Sequence, residues 1–362
     1  MIAPHSSQSQ LATNRLPILD RINLHNPYKG STPYKSNYSK RVVYLSRLSE
    51  AQKMEIYYQI YEQLLQDERV SLAKMSRNLG LARNTVSSHY HTMIENEILL
   101  PPALRLKMFK DLREYVYYLR FDKPMQVNQE LEHNPKVVYH CVTSGAFDMV
   151  VTTYSPVDFE SHPKFKGCLL SGPRSDIYFP APISRDSYEV AFQKIQKTLQ
   201  EEDLKRSSIP MEFPKREIIW SDLEWELFYD LKHDTRRTFT EIVKTHDISK
   251  WLFYRAYERI RQNCIRIVSF FPKKRLNYSD FYFIFKTDYE QALADLFMQL
   301  PCNSMIWRVD DRMVAWINIV RTFSFKRFFG LLHWMDDHGI IEDLKYALAF
   351  FTPVQSRKGS RL

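Results

Sequence analysis

The sequence predicts an α+β protein of two tandem modules, each a helix-turn-helix followed by a ferredoxin-like unit of βαββαβ order. Three observations carry that expectation. Apolar residues recur at helical spacing up to Pro101 and Pro102 and alternate at strand spacing beyond them. Two helices joined by a glycine-bearing turn precede the change. The whole pattern then returns 167 positions further on.

At 362 residues the chain exceeds what a single core organises, so roughly two to four domains are expected. Residues 1–48 hold seven bases against one acid and a repeated Pro-Tyr-Lys, and read as a disordered basic arm, either a solubilising tail or a DNA-contacting one. The spacing of Ile60, Leu64 and Leu65 opens the ordered part, and 49–106 is the first helix-turn-helix. Ser71 is suited to cap one of its helices and Gly80 to end it in the left-handed region, before a second helix over 82–94. Residues 107–183 then form the first βαββαβ unit. Its strands are expected at 114–121, 136–142 and 147–154, with a short helix in 124–135, a hairpin at Ser144-Gly145, and a closing helix near 156–166 before the strand Cys168–Gly172.

A helical connector spans 184–217, and the second copy follows as a helix-turn-helix at 218–275, a βαββαβ unit at 276–353 and a basic tail at 354–362. The shift pairs Ser71 with Thr238, Met75 with Ile242, Arg83 with Lys250, Val86 with Phe253 and Tyr90 with Tyr257. Such modules are expected to pack as an internal pseudo-dimer, and two chains also have the means to pair.

The net charge of +9 lies in the two tails, so the body between them is neutral on average. With no run of roughly 18 apolar residues and no signal-peptide core, a cytoplasmic protein without a membrane partner is expected. Cys141, Cys168, Cys264 and Cys302 are too scattered for a zinc ribbon or a disulfide framework and read as free thiols. His89 and His91 face different ways on a helix and make a poor metal pair. No phosphate loop, nucleophile motif or metal-spaced cluster appears, so neither catalytic residues, nor metal, nor cofactor are expected.

Local charge and residue type point to double-stranded DNA. If Val86, Tyr90 and Met93 face inward, then Arg83, Asn84, Thr85, Ser87, Ser88 and His91 face out, and these are types that recognise bases and phosphates. No acid occurs from Ala82 to Ile94. In the second copy, Lys250 to Arg275 hold eight bases against Glu258 alone. There Lys250, Arg255, Arg259, Lys273 and Lys274 suit phosphate contact, while Trp251 and Tyr254 either stack on sugars or bury against another module.

The run from Leu72 to Leu99, followed by a strand, a helix and the hairpin Val142 to Val151, resembles the Lrp/AsnC (feast/famine) transcription regulators, well over 50–180 and more weakly over 218–353. The resemblance implies a winged helix-turn-helix with a RAM-type domain that pairs sheets and takes an amino acid or related effector. It places Thr143, Ser144, Gly145, Phe147 and Asp148 at the effector turn, where Asp148 either accepts from an amine or caps a turn. Asp310 and Asp311 replace Ser144 and Gly145 in the second copy, which puts its effector site in doubt and casts it as a pairing surface. A DNA-binding regulator and not an enzyme is the expectation.

The rival reading is an enzyme. The siroheme decarboxylases are similar in fold, and that resemblance implies His and Arg side chains around a tetrapyrrole between the modules. Candidates are His133, His140, His162, Arg120 and Arg308, with His140 as easily a buried core residue.

Overall fold

A computed structural model of the chain describes residues 48–134, 136–201, 204–211 and 215–351. The basic arm, apart from its last residue, and the basic tail lie outside them.

The first helix-turn-helix comprises α1 (Glu50–Gln66), α2 (Leu72–Leu79) and α3 (Arg83–Glu95). Ser71 caps α2, its Oγ accepting from the Lys74 amide at 3.1 Å. Gly80 ends that helix with φ +63, and 167 positions later Asp247 takes the same left-handed role with φ +48. The second set is α6 (Asp222–Leu231), α7 (Phe239–His246) and α8 (Lys250–Asn263).

The strands that follow the two sets are exchanged. β1 (Ala103–Leu106) pairs antiparallel with β6 (Cys264–Ile267), with Arg105 opposite Ile265. Beyond this ribbon each copy supplies core to the other: Val268 and Phe270 pack among α1 to α3, while Leu104, Leu106 and Phe109 pack among α6 to α8. Phe270 stacks on Tyr61 with ring centroids 4.9 Å apart. At roughly 1.5–3 kcal/mol for each large apolar side chain buried, this exchange fastens the two sets to each other.

The sheet unit of the first copy holds β2 (Tyr115–Phe121), α4 (Pro124–Glu132), β3 (Val137–Gly145), β4 (Met149–Thr153) and β5 (Phe165–Pro173). The second holds β7 (Tyr278–Lys286), α9 (Glu290–Phe297), β8 (Met305–Val309), β9 (Arg312–Val320), α10 (Phe325–Asp337) and β10 (Glu342–Phe351). Each has the strand order of a ferredoxin-like unit, and they join through β3 and β10 into one eight-stranded sheet, β5-β2-β4-β3-β10-β7-β9-β8. Past β5 the chain bridges back to β8, where Ser175 donates to the Arg308 carbonyl and Tyr178 to that of Ile306, both at 2.8 Å. The sheet therefore curls until its two ends meet.

Alternation along the strands sorts side chains into an inside and an outside. Val116 and Tyr118 point in while Tyr117 and Leu119 point out; Tyr282 and Ile284 point in while Phe281, Phe283 and Phe285 point out. One feature differs from expectation and another goes beyond it. Residues 156–164 form irregular chain and turns, not a helix, and Phe159 from this stretch covers the outer face of β2 through Tyr117. The connector contains α5 (Tyr188–Glu201), which is amphipathic and lays Tyr188, Phe192, Ile195 and Leu199 on the outer core of the second copy. Its charge had masked that apolar stripe.

Among the described residues no helix is long and apolar enough to cross a membrane, no group of three His, Cys, Asp or Glu side chains is placed to hold a metal, and the four cysteines are free thiols.

Candidate active site

The curled sheet encloses a cavity of about 160 Å³ on its inner face. Its walls are aromatic and apolar: Val116, Val150, Tyr139, Tyr282, Trp307 and Trp316 come from six different strands. Arg105 from β1 and Arg174 from the bridging segment close one side.

These two guanidiniums share one carboxylate. Glu114, just before β2, accepts from Arg105 Nε at 3.1 Å and from Arg174 Nε at 2.8 Å. Burial alone would push the Glu114 carboxyl up, but the two arginines outweigh it and hold it at about 2. Arg174 also donates through Nη1 to the Ser175 carbonyl at 2.7 Å. Its Nη2 has no partner among the described residues, although the side chain is only 1% exposed. The buried Trp316 indole N–H likewise lacks one. Opposite, the hydroxyls of Tyr139 and Tyr282 lie 3.2 Å apart.

A more open cleft of about 840 Å³ lies by the same ribbon, lined by Lys107, Arg261 and Arg266 with the apolar Phe179, Ile265 and Val268. Arg105 thus borders one space while its register partner Ile265 borders the other.

The residues expected to read DNA are dispersed in environment. Arg83, Asn84 and His91 are exposed on α3, whereas Thr85, Ser87 and Ser88 are half-buried. Trp251 and Tyr254 stand out from α8, 66% and 60% exposed. Lys250, Lys273 and Lys274 are exposed, but half of the basic run is paired with carboxylates within the fold. Arg259 is paired with Glu224, Arg261 and Arg266 with Glu68, and Arg275 with Asp280. Arg255 lies over the Trp251 ring. Sequence-local counting missed these acids because they come from elsewhere in the chain.

At the expected effector turn, Thr143 is buried and donates to the Phe147 carbonyl at 2.7 Å, Phe147 is buried inside the sheet, and Ser144 is exposed. Asp148 accepts from the Phe121 amide at 3.1 Å. Gly145 abuts β10, and a Cβ there would stand 2.5 Å from the Tyr346 carbonyl oxygen.

None of the histidines considered for a porphyrin pocket lines either space. His140 is buried with Nδ1 2.7 Å from Asn128 Oδ1, His162 pairs with Glu130, and His133 is exposed. Arg120 donates to the Ala146 carbonyl and Arg308 to that of Asp310. Arg105, Glu114 and Arg174 were not singled out in the sequence.

No protein-family model matches the chain, and no curated protein matches it in sequence. Among solved structures, the chain is similar to the siroheme decarboxylase NirDL, at 10% identity and a TM-score of 0.41, covering 82% of this chain and 91% of that one. It is similar also to NirDL in co-complex with an iron-uroporphyrin III analogue, at 9% identity and a TM-score of 0.42, covering 84% and 92%. The regulator expectation is corrected here. Both similar structures are of a siroheme decarboxylase, and half of the bases in the second copy's run, Arg259, Arg261, Arg266 and Arg275, are tied to carboxylates within the fold. The expectation of a non-enzyme is likewise not supported by these similarities.

Proposed function

We propose that the chain is an enzyme acting on a polycarboxylated conjugated ring system of the tetrapyrrole class, by decarboxylation, with the curled-sheet cavity as its active site. One observation carries this reading: two guanidiniums face a single carboxylate in a buried aromatic space, and Arg174 Nη2 is left without a partner. A surplus buried cation with an unfilled donor is costly, and a substrate carboxylate satisfies both the charge and the hydrogen bond.

Size defines what enters. A cavity of roughly 150 Å³ takes one benzene-sized ring, so the space of about 160 Å³ admits one ring edge with its carboxylate arm, not a whole macrocycle. The remainder lies at the mouth beside Arg105, whose side chain is 28% exposed. One carboxylate is anchored by Arg174; a second, against the aromatic walls, is stripped of water. Desolvation disfavours that charged group relative to neutral carbon dioxide. The conjugated ring takes up the electron pair.

The test is titration of the full chain with iron-uroporphyrin III, followed by its visible absorption, and assay of carbon dioxide release from siroheme. Saturable binding is expected, weakened at least tenfold when Arg174→Met is combined with Glu114→Gln so that no carboxylate is left buried alone. Absence of binding by the intact chain, or equal binding by the double variant, sinks the proposal.

A further inference from the structure

We infer that Tyr282 is the proton donor to the reacting carbon and that Tyr139 relays the replacement proton from solvent; this rests on the decarboxylase reading above. The two residues belong to strands that are not neighbours, since β10 lies between β3 and β7. Their hydroxyls meet because that strand presents only the small Ala347 and Ala349 to the interior core here, leaving room for both rings to lean across. The hydroxyl separation of 3.2 Å is that of a hydrogen bond in which either oxygen donates.

Exposure gives the pair a direction. Tyr282 is buried, at 3% exposure, whereas Tyr139 is half-buried, so of the two it is the one placed to exchange with solvent. Both line the cavity that holds Arg174. Among the cavity-lining residues there is no histidine, aspartate or glutamate to compete for the role. The guanidiniums of Arg105 and Arg174 hold their protons too firmly to deliver one. Burial keeps the Tyr282 phenol well above its ordinary value, so it enters the reaction protonated.

The step balances without a co-reactant beyond water. The bond from ring-borne carbon to carboxylate breaks, carbon dioxide leaves, and the electron pair stays with the conjugated system. Carbon then takes the Tyr282 proton. Tyr282 takes the Tyr139 proton, and Tyr139 is refilled from solvent. The transient phenolate charge develops in the cavity that Arg105 also lines.

Two variants of the full chain decide the matter, Tyr282→Phe and Tyr139→Phe, each retaining the ring that packs. With siroheme as substrate, Tyr282→Phe is expected to lower kcat about a hundredfold or more, the usual range for a positioned general acid. Its affinity for iron-uroporphyrin III is expected to stay within about twofold of the parent. Tyr139→Phe is expected to give a smaller loss and a larger solvent deuterium isotope effect, because reprotonation becomes slow. If the parent chain releases carbon dioxide and Tyr282→Phe matches its kcat, or loses only binding, the relay is overturned and the enzyme reading stands. If the parent binds the tetrapyrrole and releases none, both fall.

Discussion

Arg69 and Arg236 make the same contacts in exchange. Arg69 donates to the carbonyls of Thr235 and Arg237, the residues that flank Arg236, and Arg236 donates to those of Glu68 and Val70, the residues that flank Arg69. Each guanidinium also lies over the other copy's tyrosine, Arg69 5.5 Å from the Tyr257 ring centre and Arg236 4.9 Å from that of Tyr90. The repeat in the sequence is therefore a pseudo-twofold axis in space. Because the losses are equivalent, Arg69→Met and Arg236→Met are each expected to destabilise by about 1–3 kcal/mol, through carbonyls left without a partner. Urea denaturation of the two variants tests this, and midpoints that part widely would show the axis to be energetically lopsided.

Glu114 sets the acid limit of the fold. Its carboxyl is held at about 2 against an ordinary 4.5, so the unfolded chain binds the proton first as pH falls. The stability it contributes is complete above about 4.5 and drains away toward 2. Glu114→Gln is expected to cost about 3 kcal/mol at neutral pH, since the buried Arg174 and the partly exposed Arg105 lose their counter-charge. Thermal melts of the variant should then vary less with pH below 4.5 than those of the parent. An unchanged slope would remove Glu114 from the account.

Two glycines with positive φ should respond very differently to alanine. At Gly80 the added methyl meets nothing within 4 Å, and the cost is that of a left-handed helix end, about 1 kcal/mol. At Gly145 it meets the Tyr346 carbonyl oxygen at 2.5 Å and Ala347 Cα at 2.8 Å, in the seam between the two sheet units. Strain and overlap together are expected to reach about 3 kcal/mol. Amide exchange should locate the damage in β10, and protection of that strand equal to the parent's would contradict the seam's role.

His89 lies in the core of the first helix-turn-helix at 2% exposure, edge-on to Tyr57, with Nε2 lacking a partner among the described residues. Burial lowers its pKa below 6.5, so the unfolded chain gains the proton first, and stability falls as pH drops below that value. His89→Phe keeps a ring against Tyr57 and should flatten the fall in stability as pH drops below 6.5. A slope equal to the parent's would mean that another group titrates there.

Much of the architecture was legible because it is written locally. Ser71 and Gly80 mark helix ends through their own chemistry, and the tyrosine, valine and phenylalanine alternation of 115–121 and 278–286 states which face is inside. The site was not legible, since it is made by closure. Arg105, Glu114 and Arg174 sit in three separate stretches, and no local pattern marks any of them until the ends of the sheet meet. The same blindness misled the charge argument: Glu68 precedes the arginines it neutralises by almost two hundred residues. The aromatic contribution of α5 was hidden for a different reason, its glutamates and lysines facing out over a narrow apolar stripe.

The exchanged core has a bearing on how the protein is made. Helices α1 to α3 leave the ribosome early, but Val268 and Phe270, which complete their interior, are about 170 residues behind. At typical elongation rates the wait is on the order of ten seconds. Through that interval the ring face of Tyr61 and its neighbours has no native cover. The nascent first copy thus waits with its core incomplete, and cutting the gene between the copies yields two halves that each lack the residues the other keeps.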